Sequence, residues 1–353
     1  MSIQILGAGC AFPSGPTLAL ADIACRTQLA LVRRHPFCTD RCGIPISASY
    51  FPQPALGFGL ERWKTLACNA LMDSLQYFEL STEIPVRLWL VLPPEDRPGV
   101  PLELSHYLSS ALCAYLPPSL KINIVRGSHA AAGQAILQAA KAQENDTSFT
   151  PDIVLAVDSW LPPASLVWLE AQNLLHGSRS IYEGIAKVNP YGRIPAEGAA
   201  AIILAKAVGQ PAWCSITGFA TALEVILRRD DRPCLGLGLM QAARQAIAQT
   251  ETSHISRLVT DINGEPYRSD EFGFTVSRLN TVLDPDFQRI APVLASGDLG
   301  CASLATHIAL TAWHLRKAFV TERDASHLLL SSSDDEQRSA MVLRPIKKRE
   351  LTC

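Results

Sequence analysis

Apolar and polar positions change period along this chain in a regular way. Ile3 to Gly9 is an apolar run ending in a Gly-Ala-Gly turn, which predicts a buried strand. From Leu60 to Tyr77 the apolar residues Leu60, Trp63, Leu66, Ala67, Ala70, Leu71 and Leu75 fall at helical spacing, and Val86 to Leu92 is a continuous apolar strand closed by Pro93 and Pro94. Leu102 to Leu116 repeats the helical period and stops at Pro117-Pro118. A strand over 121–125, a small-residue helix opening at Ser128, a polar break at Glu144 to Ser148 and the strand Ile153 to Val157 follow. A helix over Leu166 to Leu175 and a buried strand from Gly198 to Leu204, ending at Lys206, close this part of the chain. Strands alternating with helices predict a layered α/β sheet.

The remainder repeats the plan. Ser215 to Ala220 is a strand, Leu237 to Ala248 a helix, Arg257 to Ile262 a strand, Asp270 to Leu283 a helix, Pro292 to Ser296 a strand and Leu299 to Phe319 a long apolar helix. Leu328 to Ser331 and Ala340 to Leu343 pair as a terminal hairpin. Two α/β halves, 1–206 and 207–353, each closing on an antiparallel strand, predict an internal duplication. The region from about Pro13 to Ala55 shows no clean period and is read as a surface cap or insertion, and the tail Lys347 to Glu350 as solvated.

Composition narrows the classes. With 353 residues, 48% hydrophobic and 18% charged, the chain has a substantial core, and a net charge of -2 excludes a basic partner surface for nucleic acid or anionic lipid. The first residues enter a strand without a basic leader and no run reaches bilayer length, so a cytoplasmic protein is expected. The ten cysteines are scattered and read as reduced thiols. His35, Cys38 and Cys42 with Cys25 offer four potential ligands, but Cys-x3-Cys is a weak match to zinc knuckles, so they are read as loop residues; no metal and no cofactor are expected. Gly236-Leu-Gly238 lacks the third glycine and the β-α context of a dinucleotide site. Trp63, Trp89, Trp160 and Trp168 read as core or loop aromatics, His307 and His314 as core histidines, and Glu197 with Arg193 as a structural ion pair.

The candidate chemistry lies in the stretch Leu120 to Ala140. A strand, a tight turn at Arg126-Gly127 and a helix put Ser128 where free backbone N–H groups point outward, a place for a nucleophile or an anion. Ser128 is equally an N-cap, with Ala130 to Ala132 allowing close helix packing. Both readings stand at this point.

The segment Asn189-Pro-Tyr-Gly-Arg-Ile-Pro-Ala-Glu197-Gly-Ala-Ala-Ala-Ile-Ile-Leu204 resembles the Pro-Phe…Arg…Glu-Gly-Ala-Ala-Ala loop and strand of the β-ketoacyl synthases, in the thiolase superfamily. The Gly7-Ala-Gly9 opening, Asp152-Ile-Val-Leu-Ala156, Thr260-Asp-Ile-Asn263 and Ser296-Gly-Asp-Leu-Gly-Cys-Ala-Ser303 match in the same order along nearly the whole chain. The resemblance implies a thiolase-like five-layer αβαβα sandwich of two similar halves. It also implies dimerisation through the strand next to the nucleophile, here Ile153 to Val157 or its neighbour.

Condensing enzymes of that family use a cysteine at the start of the central helix and two histidines from the second half. In this chain Ser128 stands at the cysteine position, Glu265 at the first histidine and Asp298 at the second, with Asn263 and Gly300 beside them as candidate substrate-binding positions. Ionised carboxylates only accept hydrogen bonds and repel a developing enolate, so decarboxylative condensation is not expected. Two readings follow. The first is a catalytically degenerate protein that binds a protein partner as scaffold or adaptor, either as the inactive partner subunit of an active ketosynthase or as an accessory, effector-loading factor of a bacterial secretion system. The second is an acyltransferase or hydrolase in which Ser128 attacks an acyl carrier or acyl-CoA thioester, with His129, Glu265 or Asp298 as base. Glu265 and Asp298, placed together, would push one pKa up. His129 would follow Ser128 on a helix, where neighbours point apart, which speaks against its use as base. An open cavity at Ser128 separates the readings.

Overall fold

The computed structural model describes residues 3–52, 59–146, 148–182, 184–206, 211–230, 232–250, 254–317 and 325–346. The first part of the chain runs β1 (Ile3–Ala11), α1 (Leu18–Arg26), β2 (Arg33–Thr39), β3 (Pro45–Ala48), α2 (Leu60–Leu75), β4 (Arg87–Leu92), α3 (Leu104–Leu112) and β5 (Lys121–Arg126). It continues through α4 (Ala131–Glu144), β6 (Asp152–Ser159), α5 (Pro163–Ala171), β7 (Arg179–Tyr182), β8 (Ile185–Val188) and β9 (Glu197–Lys206). The second part runs β10 (Cys214–Leu223), α6 (Leu237–Ala248), β11 (Ile255–Thr260), α7 (Pro266–Leu279), β12 (Leu283–Ile290), α8 (Val293–Ser296), α9 (Ser303–Lys317), β13 (His327–Ser332) and β14 (Gln337–Pro345).

The main sheet runs β5-β4-β6-β9-β1 in the first half and β12-β11-β13-β14-β10 in the second. Counted along each half's five main strands, both orders are 3-2-4-5-1. Pairing senses repeat too: the first two pairs from the outer edge are parallel and the last two antiparallel in both halves. The halves join where β1 pairs with β10 across Ile3↔Ile216, Gln4↔Ser215 and Ile5↔Cys214. The first strand of each half carries a glycine against its outer helix. A Cβ on Gly9 would lie 2.2 Å from Ser74 N, and one on Gly218 would lie 2.0 Å from Ala246 O. No side chain fits at either approach.

Alternating burial builds five layers. α4 and α9 touch strands of both halves and, with α1, bury Ala131, Ile136, Leu304 and Ile308 in a central core. α2 and α3 cover the outer face of the first half around Trp63, Leu71 and Leu108; α6 and α7 cover the second around Leu239, Phe272 and Leu279. The two site-bearing segments, the start of α4 and the turn before α9, meet in the central layer.

Some expectations are corrected. The strand expected at Pro292 to Ser296 is the short helix α8, and β12 lies earlier, at Leu283–Ile290. That strand is largely exposed, polar and interrupted by Pro285, as an edge strand can be, so it carries no apolar run to read. The 13–55 region is only partly a surface feature: α1 buries Leu18, Ala21 and Ala24 in the central core, while β2 and β3 form a hairpin outside it. Ile153 to Val157 lies in β6, paired on both sides, whereas its neighbour in the chain, β5, is the free edge of the first half. Ala55, Phe319 and Lys347 to Glu350 lie outside the described residues.

Candidate active site

β5 delivers the chain to Gly127, and α4 begins only at Ala131, with Ala130 as its N-cap residue. Ser128 and His129 therefore sit in the turn, not on the helix, and the rule that successive helical side chains diverge does not apply to them. Nor is Ser128 an N-cap: its Oγ lies 2.8 Å from His129 Nδ1. The other ring nitrogen, His129 Nε2, lies 2.8 and 3.0 Å from the two carboxylate oxygens of Asp298. His129 and Asp298 are each 1% exposed and Ser128 9%.

The partners fix the protons on the ring. Ionised Asp298 only accepts, so Nε2 carries a hydrogen and donates it. Arg268 Nη2 lies 3.0 Å from Nδ1 and a guanidinium only donates, so Nδ1 presents its lone pair to both Arg268 and the Ser128 hydroxyl. Hydroxyl, imidazole and carboxylate stand in that order, an arrangement that can serve as nucleophile, base and orienting group.

Asp298 is held by further donors. Trp160 Nε1 (3.1 Å) and Gly300 N–H (2.8 Å) donate to Oδ1, and Asn263 Nδ2 (2.6 Å) donates to Oδ2. Burial works against its charge, but the hydrogen bond from His129 Nε2–H and the guanidiniums of Arg193 and Arg268 overcome that and hold the carboxyl well below its usual range. Asn263 and Gly300 thus support Asp298, and neither is among the residues lining the cavity at Ser128.

Glu265 does not join this set. It precedes α7, where Arg193 Nε donates to its Oε1 at 2.7 Å and Asn263 Nδ2 does so at 3.0 Å. Asn263 bridges it to Asp298, and Arg193 lies within 3.5 Å of Asp298 as well. The two acids, expected to lie together and push one pKa up, are separated by a guanidinium and an amide, and Asp298 is lowered. Glu197 and Arg193 also do not pair. Glu197 binds Arg62 of α2, while Arg193 reaches across to Glu265 and Asp334. Asp334 is likewise kept ionised, against burial, by the guanidiniums of Arg193 and Arg268.

Ser128 opens on a cavity of about 500 Å³ whose lining includes Trp160, Arg97, Arg228, Asp334 and Glu336. Arg97 binds buried Asp158 and lies 3.9 Å from the Trp160 ring centre, fixing that wall. The N–H of Asp334 points at Ser128 Oγ from 3.4 Å. No cysteine is among the lining residues. Sequence reasoning placed Ser128 and Asp298 and discounted His129; Arg268 and Trp160 carried no motif that marked them. Cys25, His35, Cys38 and Cys42, read as loop residues, are not among the groups within ligand distance; among the described residues Glu224, Cys234 and Glu271 are the one such group. Both oxygens of Glu271 are already taken by Arg338 and Ser332.

No family model and no curated protein matches this chain. Solved structures do. The chain is similar to the ishigamide ketosynthase/chain length factor (16% identity, TM-score 0.73), covering 98% of this chain and 100% of that one. It is similar to a type II polyketide synthase acyl-carrier protein in complex with its ketosynthase bound to the hexaketide (14%, TM-score 0.75; 98% and 99% covered). A ketosynthase from module 6 of the bacillaene synthase from Bacillus subtilis also matches (11%, TM-score 0.75; 98% and 72%). The protein has the thiolase-like fold of ketosynthases, as the sequence resemblance implied. Among the described residues no helix is long and apolar enough to cross a membrane.

Proposed function

We propose that the protein transfers acyl groups from thioesters, with Ser128 as nucleophile, His129 as general base and Asp298 as the group that orients it. The observation that carries this reading is the unbroken hydrogen-bonded path from Ser128 Oγ through His129 to Asp298, opening on the cavity. As Oγ attacks the thioester carbonyl carbon, its proton passes to Nδ1 while Nε2–H stays on Asp298. The Asp334 N–H is within reach of the oxyanion that forms. Collapse expels the thiolate, which takes the proton from Nδ1, and water or an acceptor then releases the acyl group. Condensation is not part of this reading, because no thiol lines the cavity and carboxylates occupy the two histidine positions. A similar structure holds an acyl-carrier protein on its ketosynthase, which supports an acyl carrier or acyl-CoA as donor.

The test is intact-mass spectrometry after incubation with acyl-CoA and acyl-carrier thioesters, with Ser128→Ala alongside. An acyl-sized adduct on the wild type alone supports the proposal; a folded protein that never takes one sinks it.

Arg268 favours a second reading, since its donation into Nδ1 occupies the lone pair that the base needs. Here the protein is a non-catalytic adaptor, serving an active ketosynthase or a secretion system, with β5 the edge available for a homodimer. Co-purification of a defined protein partner, together with unreactive Ser128, is the outcome that this reading requires.

A further inference from the structure

A second cavity, of about 610 Å³, lies on the other side of the Trp160 wall. It shares no lining residue with the cavity at Ser128: Trp160 faces that one, while its neighbours Ser159 and Leu161 line this one. The apolar surface comes from Phe37 of the β2–β3 hairpin, Tyr50, Trp63 of α2 and Leu161. Its size falls in the range of small-molecule sites, about 300–1,000 Å³.

The charged side chains lining this cavity are of one sign. Arg33 and Arg62 line it, and no carboxylate does among the described residues. Arg62 is held in place by buried Glu197, which takes its Nε and Nη2. Glu197 is itself fixed by the Phe51 N–H at 2.9 Å and the Ser159 hydroxyl at 3.2 Å. The remaining Nη1 makes no hydrogen bond among the described residues, so one corner of a rigid guanidinium is left to donate. Arg33 rests over the Tyr50 ring, with Cζ 5.4 Å from its centre. His35, also in the wall, accepts the N–H of Cys38 at 2.9 Å and is kept below its ordinary pKa by burial and by Arg62, so it adds no charge near neutrality.

We propose that this cavity binds a small amphipathic carboxylate, its chain against Phe37, Tyr50, Trp63 and Leu161 and its head group on Arg33 and Arg62. Charge complementarity selects this occupant. An apolar chamber lined by Arg33 and by the outward corner of Arg62, whose other side is paired with Glu197, and by no acid favours a single anionic head on an apolar body over a cation. Binding here is non-covalent and independent of Ser128.

The test is calorimetric titration of the full chain with decanoate, below its micelle-forming concentration, and with decan-1-ol. Saturable one-to-one binding of decanoate is expected, weaker for the alcohol by about three- to tenfold. Arg33→Gln should weaken decanoate by a similar factor. Phe37→Asp, at a side chain 77% exposed and so harmless to folding, should weaken it at least as much by setting an acid at the chamber. Ser128→Ala should bind like the wild type. Absence of saturable binding overturns the proposal, and so does binding that ignores Arg33→Gln, Phe37→Asp and the change from acid to alcohol, which would be adsorption to an apolar surface.

Discussion

Ser128 Oγ and Nδ1 of His129, the very next residue, lie 2.8 Å apart. The pair meets because the turn between β5 and α4 keeps both residues out of helical geometry. If His129 is the base for Ser128, His129→Asn should lower the rate of Ser128 acylation by about 10²–10⁴-fold while leaving the melting temperature within a few degrees. Single-turnover mass spectrometry at several times gives the rate directly. An unchanged rate would remove His129 from the mechanism.

Asp298 and Glu265 should separate in the same assay. Asp298 contacts the base, so Asp298→Asn should lose about 10²–10⁴-fold, because the amide no longer fixes the Nε2–H tautomer. Glu265 meets Arg193, Asn263 and, at 3.8 Å, Arg228, and not the base, so Glu265→Gln should lose less than about tenfold. Equal losses would mean that the whole ionic cluster acts as one unit.

Arg268 donates to the lone pair that the proton must enter. Replacing it by Gln removes a donor that competes with the Ser128 hydroxyl for that lone pair, so Ser128 acylation should quicken by up to about tenfold. Arg268 also meets Asp334 and Asp261, so the same variant should be destabilised by about 3–5 kcal/mol. An acylation rate identical to wild type would show that Arg268 holds structure and does not occupy the base.

Stability should fall with pH in two stages. Burial lowers His307 to about 4 and His327 to about 3, below the value of about 6.5 in an unfolded chain. Unfolded chains then bind more protons below pH ~6.5, so stability is full above it and declines as pH drops toward ~4 and ~3. Asp298 and Asp334 are lowered carboxylates; their contribution is present above about pH 4 and is lost only as pH falls further. Denaturant melts between pH 4 and 8 should slope downward from pH ~6.5 in the wild type and less steeply in His307→Asn and His327→Asn. A flat wild-type curve across that range would refute the assignment.

Much of the fold was legible because strands such as Ile153–Val157 and helices such as Leu237–Ala248 bury one face or both, and burial imposes a period. β12 was missed for the converse reason: an exposed edge strand with Pro285 buries little and leaves no pattern. α1 escaped because its four buried positions, one of them Asp22, sit in a short helix that follows Pro13 and Pro16. Ser128 and Asp298 were legible through their places in motifs. Glu265 stood in a motif as well, yet its partners across space decided its role.

The sequence by itself determined the layered α/β plan with two repeating halves, and its motifs singled out Ser128, Glu265 and Asp298 as candidate site positions. Apolar periodicity and motif order are local properties, and local properties survive reading in one dimension. Only the tertiary structure decided that His129 leaves the helix, that Arg193 and Asn263 separate the two acids, and that a cavity meets Ser128. Each depends on which groups from distant segments share a few ångströms, and a charge's behaviour is set by those neighbours, not by its position in the chain.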